Sequence, residues 1–230
     1  MTELNTASFV DVEPGQAPVQ GFLHRAETGN SGFVVLTHGA GGNANAPLLV
    51  MLADRFAAIG LSTLRCNLPF RQKRPTGPPS PSNAKLDQEG LRRALTLMRE
   101  RFTGKAFLGG VSYGGRQGSM LVAAEPELVD GLLLMSYPLH PPGKPAQLRT
   151  AHFASLRTPA VFVSGTRDGF GSIDELRQAI EEIPAPTKLV AADGAGHGLL
   201  TKSNREQLPE TIVREFQAFF LAPIAAETTI

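Results

Sequence analysis

The chain has 230 residues and a formal net charge of +1, from 22 Lys and Arg against 21 Asp and Glu. A chain of this length buries a sizeable core, so we expect residues 1–230 to form a single domain. The charge balance excludes a protein that binds nucleic acid through bulk positive charge. A lone cysteine, Cys66, excludes an internal disulfide and a cysteine-cluster metal site, and it follows an apolar run that predicts a packed thiol. The sequence predicts no leader peptide and no membrane span, and therefore a cytoplasmic protein.

Short apolar and β-branched runs recur along the chain and predict strands. Two β-like runs come first, at 8–12 and 19–25, and predict antiparallel strands at one edge of a sheet. Six runs without polar alternation then follow, which is typical of strands buried on both faces of a parallel sheet. They lie at 33–37, 61–66, 106–111, 132–137, 160–164 and 188–192.

The segments between these runs predict helices at 47–59, 85–102, 115–124, 172–183 and 205–220. Leu91, Leu95 and Met98 recur at intervals of four and three, which makes one apolar stripe on a helix. Ser172 with Glu175 three residues later is a capping-box pattern. Strands alternating with helices predict an α/β fold, with a doubly wound, mostly parallel sheet and helices on both faces.

Two segments interrupt this alternation. Residues 69–82 contain five prolines, which predicts a loop of polyproline character. Residues 138–159 carry no strong period and predict either a long crossover or a small lid. We therefore expect a minimal cap or none.

The sequence Gly110-Val111-Ser112-Tyr113-Gly114 is a G-x-S-x-G motif between a predicted strand and a predicted helix. This is the setting of a nucleophile elbow, in which a strained turn presents the serine hydroxyl at a helix N-terminus. Ser112 is therefore the candidate nucleophile. A serine needs a base within hydrogen-bond reach, because its hydroxyl is a poor nucleophile at neutral pH.

Five histidines could supply that base. His197 lies among glycines just after the last apolar run, at the edge of a parallel sheet where active-site groups converge. We expect His24 on the surface, His38 to form structural hydrogen bonds, and His140 and His152 to lie in the long crossover. His197 is therefore the candidate base.

Two carboxylates could orient His197. Asp168 follows the fifth of the six buried runs and completes the chain order Ser112, Asp168, His197 that a nucleophile elbow favours. Asp193 lies only four residues before His197 and stays an alternative, although Asp-Gly is also a common turn.

A glycine-rich turn after the first buried run could hold the oxyanion that forms during acyl transfer. Its sequence, His-Gly-Ala-Gly-Gly at 38–42, suggests the backbone N–H of Ala40 as one donor. Tyr113, directly after the candidate nucleophile, supplies the second N–H. The turn lacks the spacing of dinucleotide and phosphate loops, which disfavours nucleotide binding.

These motifs resemble the α/β-hydrolase superfamily, and most of all its small dienelactone-hydrolase-like group. The resemblance rests on HGAGG, GGVSYGGR, SGTRDGF and GAGHG, which occur in the order of the superfamily's landmarks. It implies a cofactor-free and metal-free serine hydrolase that cleaves a small carboxylic ester or thioester through an acyl-enzyme. Dienelactone hydrolases carry a cysteine where this chain has Ser112, so dienelactone activity is not expected. Some relatives of this branch are components of protein assemblies, so a non-catalytic interaction module with a protein partner is the alternative.

Basic residues are concentrated between positions 65 and 105, with ten against three acidic ones. Most of them are consistent with a solvated helix face. Arg71, Lys73 and Arg74 follow a predicted strand at its carboxyl end. The sequence therefore predicts that these three line the pocket rim and steer an anionic substrate.

Overall fold

The described part of the chain, residues 6–27, 29 and 31–221, contains one eight-stranded sheet in this computed structural model. The strands are β1 (Thr6–Asp11), β2 (Val19–His24), β3 (Gly32–Thr37), β4 (Leu61–Asn67), β5 (Lys105–Val111), β6 (Gly131–Met135), β7 (Ala160–Gly165) and β8 (Thr187–Ala192). Their order is β1-β2-β4-β3-β5-β6-β7-β8. β1 and β2 are antiparallel strands at one edge of the sheet. The six strands β3 to β8 are parallel to one another. The predicted mostly parallel sheet and its antiparallel edge are confirmed.

Helices cover both faces of this sheet, as a doubly wound fold requires. They are α1 (Pro47–Ala58), α2 (Pro69–Lys73), α3 (Ala84–Arg101), α4 (Tyr113–Ala124), α5 (Ile173–Ile180) and α6 (Gln207–Phe220). Successive strand residues point to opposite faces. Val34 therefore packs with α1 and α6, and Val35 packs with α3 and α4. Within the described residues, no helix is long and apolar enough to cross a bilayer.

An aromatic cluster fills the layer between the sheet and helices α1 and α6. The ring centroid of Phe216 lies 4.9 Å from that of Phe56, 4.8 Å from that of Phe107 and 4.7 Å from that of Phe220. Phe216 is fully buried. These edge-on and tilted rings anchor α6 on the sheet.

The expectation that residues 69–82 form a loop is wrong at both ends. Residues 69–73 form the short helix α2, and Pro81–Asn83 form one turn of 3-10 helix. Pro69 occupies the first position of α2, where its fixed φ suits a helix and its missing N–H costs nothing. Phe70 is buried next to the rings of His38 and Tyr113, so tertiary packing stabilises a helix that composition alone disfavours.

The segment 138–159 is a crossover between β6 and β7 rather than a separate lid. Leu139, Phe153 and Leu156 are buried in the main core, and the segment's helical structure is one 3-10 turn at Phe153–Ser155. Its apolar side chains pack down onto the sheet and its neighbours, so it cannot form a cap with a core of its own. The described residues therefore have no cap above the carboxyl edge of the sheet.

Candidate active site

Ser112 lies in a sharp turn between β5 and α4 and has a strained backbone, with φ 49° and ψ −114°. Glycine is required on both sides of it. A Cβ on Gly110 would lie 2.5 Å from the Gly115 nitrogen, and one on Gly114 would lie 2.4 Å from the His38 carbonyl oxygen. This close approach of strand, helix and loop is the reason for the G-x-S-x-G pattern. It presents the Ser112 side chain at the start of α4.

Three side chains from three strand ends form one hydrogen-bonded line. His197 Nε2 lies 2.8 Å from Ser112 Oγ. The Asp168 carboxylate oxygens lie 3.0 and 2.8 Å from His197 Nδ1. The Asp168 side chain is only 1% exposed, whereas that of His197 is 29% exposed. With Nδ1–H donating to the carboxylate, Nε2 is the free acceptor that faces the serine hydroxyl.

Two residues that the sequence analysis did not single out hold this line in place. The Phe170 ring stacks on the His197 ring with centroids 4.1 Å apart, and the Phe170 N–H donates to Asp168 Oδ1 over 2.9 Å. Ser136 Oγ donates to the His197 carbonyl oxygen over 2.7 Å from a backbone with φ 48°. Ser136 lies directly after β6, and only its position at a strand end could have marked it.

Asp193, the alternative carboxylate, lies elsewhere. It is exposed, and its Oδ1 accepts a hydrogen bond from the Thr166 hydroxyl at 3.3 Å. Of the two candidates, the structure brings Asp168 to the His197 ring.

The turn at 38–42 lies beside Ser112 and is held by hydrogen bonds from Arg71. A Cβ built on Gly39 would lie 3.4 Å from Ser112 Cβ. Arg71 Nη2 donates to the Ala40 carbonyl oxygen at 2.6 Å, and Arg71 Nε donates to that of Gly42 at 2.8 Å. These carbonyls therefore point away from the cavity.

Ala40 and Tyr113, the two predicted donors, both line the cavity. The Gly39 carbonyl oxygen accepts from His38 Nδ1, so the Ala40 N–H of the same peptide points to the opposite side. The Tyr113 N–H is at the first position of α4, where no acceptor exists within the helix. The Tyr113 hydroxyl donates to buried Asp87 at 2.7 Å, which anchors this residue.

His38 supports the turn instead of acting as a second base. Its Nδ1 donates to the Gly39 carbonyl oxygen at 2.8 Å, and its Nε2 accepts from the Leu68 N–H at 3.1 Å. Burial lowers the pKa of His38 to about 4, so the ring is neutral at physiological pH. This agrees with the structural role predicted for it.

Two other reactive side chains that the sequence offered, His24 and Cys66, are buried and do not line the cavity. His24 is not on the surface as expected, because it is buried in β2 and accepts a hydrogen bond from Arg65 Nε at 2.8 Å. Burial and the neighbouring Arg65 charge lower the His24 pKa. Burial raises the pKa of the Cys66 thiol to about 12, which fits the predicted packed thiol.

The predicted basic rim is not where the sequence placed it. Arg71 is buried and bonded to backbone carbonyls, while Lys73 and Arg74 are exposed and do not line the cavity. The helix α2 turns these three side chains away from the opening. The cationic side chains that do line it come from other elements, namely Arg116, Arg149 and Arg205. Arg116 ends the GGVSYGGR motif, but the sequence analysis gave no role to it, and no motif contains Arg149 or Arg205.

The cavity above Ser112 has a volume of about 960 Å³ and is open to solvent. Its walls are mainly apolar and include Leu48, Met120, Leu200 and the prolines of residues 78–81. Ser112 and His197 both line it and are partly exposed. A small molecule can therefore reach the hydroxyl.

A family model described as the alpha/beta hydrolase domain matches residues 30–222. The chain belongs to this family. It is similar to a serine hydrolase homologue from Coxiella burnetii, with 19% identity, a TM-score of 0.72, and 91% of this chain and 96% of that chain covered. It is also similar to the dienelactone hydrolase of Anabaena variabilis, with 18% identity, a TM-score of 0.71, and 94% and 99% covered.

A serine hydrolase without a lid from Xanthomonas campestris has 16% identity and a TM-score of 0.70, with 96% of this chain and 97% of that chain covered. At these identities the structures share the fold. They confirm the predicted α/β-hydrolase fold and its resemblance to the dienelactone-hydrolase-like group.

Proposed function

We propose that this protein is a serine hydrolase that cleaves a carboxylic ester or thioester of a small molecule through an acyl-enzyme. The observation that carries the proposal is the line from Asp168 through His197 to Ser112, which opens onto a solvent-accessible cavity. A volume of about 960 Å³ is in the range of small-molecule sites. Such a site needs no cofactor or metal.

Acylation begins with attack of Ser112 Oγ on the carbonyl carbon of the substrate. The hydroxyl proton passes to His197 Nε2, and the carbonyl oxygen becomes an oxyanion that the N–H groups of Ala40 and Tyr113 stabilise. The tetrahedral intermediate then collapses. The bond from carbon to the alcohol oxygen or thiol sulfur breaks, and the leaving group takes the proton from His197 Nε2.

Deacylation repeats these steps with water. His197 Nε2 takes one proton from a water molecule as its oxygen attacks the acyl carbon. Collapse breaks the bond to Ser112 Oγ, which regains the proton, and the carboxylic acid leaves. Throughout, Asp168 holds the Nδ1–H tautomer and stabilises the imidazolium.

The alternative role, a non-catalytic interaction module, requires neither an accessible serine nor a base within reach of it. Both features are present around Ser112, which favours the hydrolase.

Labelling with a fluorophosphonate, read by intact mass, tests the proposal. We expect one adduct on the parent chain, none on Ser112→Ala, and an unchanged adduct on Ser155→Ala, since Ser155 is exposed but lies outside the cavity. A folded parent that forms no adduct, or an adduct that persists in Ser112→Ala, would contradict it. Turnover of short acyl esters and thioesters would then identify the preferred leaving group.

A further inference from the structure

Three arginines line the cavity, and none of them pairs with a carboxylate among the described residues; Arg205 is exposed, whereas Arg116 and Arg149 are partly buried in the wall. Arg116 lies on α4, one helical turn after Ser112, and Arg149 lies in the crossover between β6 and β7. Other arginines of the described chain, such as Arg92 and Arg93, pair with carboxylates. Neither Arg116 nor Arg149 forms such an ion pair among the described residues.

The Arg116 guanidinium lies within hydrogen-bond reach of the Tyr137 hydroxyl. Its Nε is buried and has no hydrogen-bond partner within the described residues. This Nε has almost no accessible surface, so an anion in the cavity would bind the guanidinium through its terminal nitrogens.

The two charges act on each other. The pKa of Arg149 is lowered mainly by burial and, to a smaller extent, by the charge of Arg116. Burial and the same charge lower the pKa of His152 to about 4, so His152 stays neutral and adds no charge at physiological pH. Two like charges in a partly desolvated wall repel each other, and a bound anion would stabilise both.

The backbone that carries Arg149 is held firmly. The Tyr137 hydroxyl donates to the Arg149 carbonyl oxygen at 2.7 Å, and the Arg149 N–H donates to that of Leu139 at 2.8 Å. Tyr137 and Leu139 are themselves buried. The guanidinium is thus presented from a fixed segment, and its one hydrogen bond to the described residues is a long 3.4 Å contact to the Pro138 carbonyl oxygen.

We propose that Arg116 and Arg149 form an anion subsite that binds a carboxylate or phosphate group of the substrate. This inference rests on the proposed function, because the other end of the same molecule would be the ester or thioester at Ser112. Planar guanidinium groups suit both anions, which they bind through paired hydrogen bonds. Arg116 follows Ser112 by about one helical turn, about 5.4 Å along α4, and both residues line the same cavity, so one small molecule can contact both.

Two matched substrate pairs test the subsite and separate its two anions. The first pair is monoethyl succinate and ethyl succinamate, in which a neutral amide replaces the carboxylate. The second is 2-(butyryloxy)ethyl phosphate and its neutral dimethyl triester. We expect the parent to favour the anionic member of at least one pair by about tenfold or more in kcat/KM.

Arg116→Gln and Arg149→Gln should each remove most of that preference, by about fivefold or more. Arg157→Gln, an exposed arginine of the same crossover outside the cavity, should keep it. Using the ratio within a pair cancels any general loss from imperfect folding. A parent ratio near one in both pairs, or a ratio unchanged in both cavity variants, would overturn the subsite.

A binding experiment keeps the subsite testable if no ester is turned over. Calorimetric titration of the Ser112→Ala protein with succinate and with inorganic phosphate measures the anion alone. We expect saturable binding of at least one of them, weakened about tenfold by a second Arg116→Gln change and unaltered by Arg157→Gln. The subsite would be refuted if neither anion binds saturably, or if the Arg116→Gln change leaves the affinity unaltered. Binding without turnover of any ester would instead count against the proposed hydrolase.

Discussion

Replacing Asp168 by asparagine removes the negative charge beside His197 and conserves the size of the side chain. Asp168 is almost fully buried and touches His197 Nδ1 with both oxygens, so it has no access to the substrate. The variant should therefore lose catalytic rate and leave substrate binding nearly unchanged. The loss has two parts, the charge that stabilises the imidazolium and the acceptor that holds the tautomer.

The size of the loss follows from the geometry. Opposite unit charges about 4 Å apart attract by about 4 kcal/mol at an effective dielectric constant of about 20, which is about a thousandfold in rate. Loss of the correct histidine tautomer raises the total to as much as about ten-thousandfold. We therefore expect Asp168→Asn to slow the proposed reaction by about a thousandfold to ten-thousandfold.

The assay is the second-order rate constant of fluorophosphonate labelling, which needs no knowledge of the substrate. Asp193→Asn is the matched control, because it makes the same change at an exposed carboxylate bonded to Thr166 and should label within about twofold of the parent. A loss below about tenfold in Asp168→Asn, or a larger loss in the control, would refute the assignment of Asp168 as the orienting acid.

Three further predictions address the loop, the core and the pH dependence of stability. Arg71→Met should lower kcat by about tenfold to a hundredfold on neutral and anionic esters alike, because it frees the turn that carries the Ala40 N–H, whereas Lys73→Met should have little effect. Phe216→Ala should lower the free energy of unfolding by about 3–5 kcal/mol in urea denaturation, since it empties the centre of the aromatic cluster, and a loss below about 1 kcal/mol would contradict that packing. The pKa of His38 is about 4 when folded and 6.5 ordinarily, so the unfolded chain takes up its proton first as the pH falls. Stability should consequently drop between pH 6.5 and 4 by about 3 kcal/mol more in the parent than in His38→Gln, and parallel pH profiles would contradict the buried, neutral ring.

Periodicity predicted which segments of the chain form buried strands and which form the helices between them, and the four motifs marked the strand ends around the site. These signals are local. A strand buried on both faces must be apolar throughout, and the turn at Ser112 must have glycine on both sides of it. These two patterns therefore appear in the sequence independently of residues that are distant in the chain. The sequence did not predict α2, because this helix is stabilised by contacts of Phe70 with His38 and Tyr113, which are distant in the chain.

The sequence by itself determined the fold class and named the residues of the proposed reaction, since both depend on patterns within a few neighbouring positions. Only the tertiary structure decided which charges face the cavity. Arg71 looked like a rim residue but lies against the Ala40 and Gly42 carbonyls, while Arg116 and Arg149 converge from different elements. The direction of a long side chain depends on the elements packed around it. The spacing of residues in the sequence does not predict which way such a side chain points.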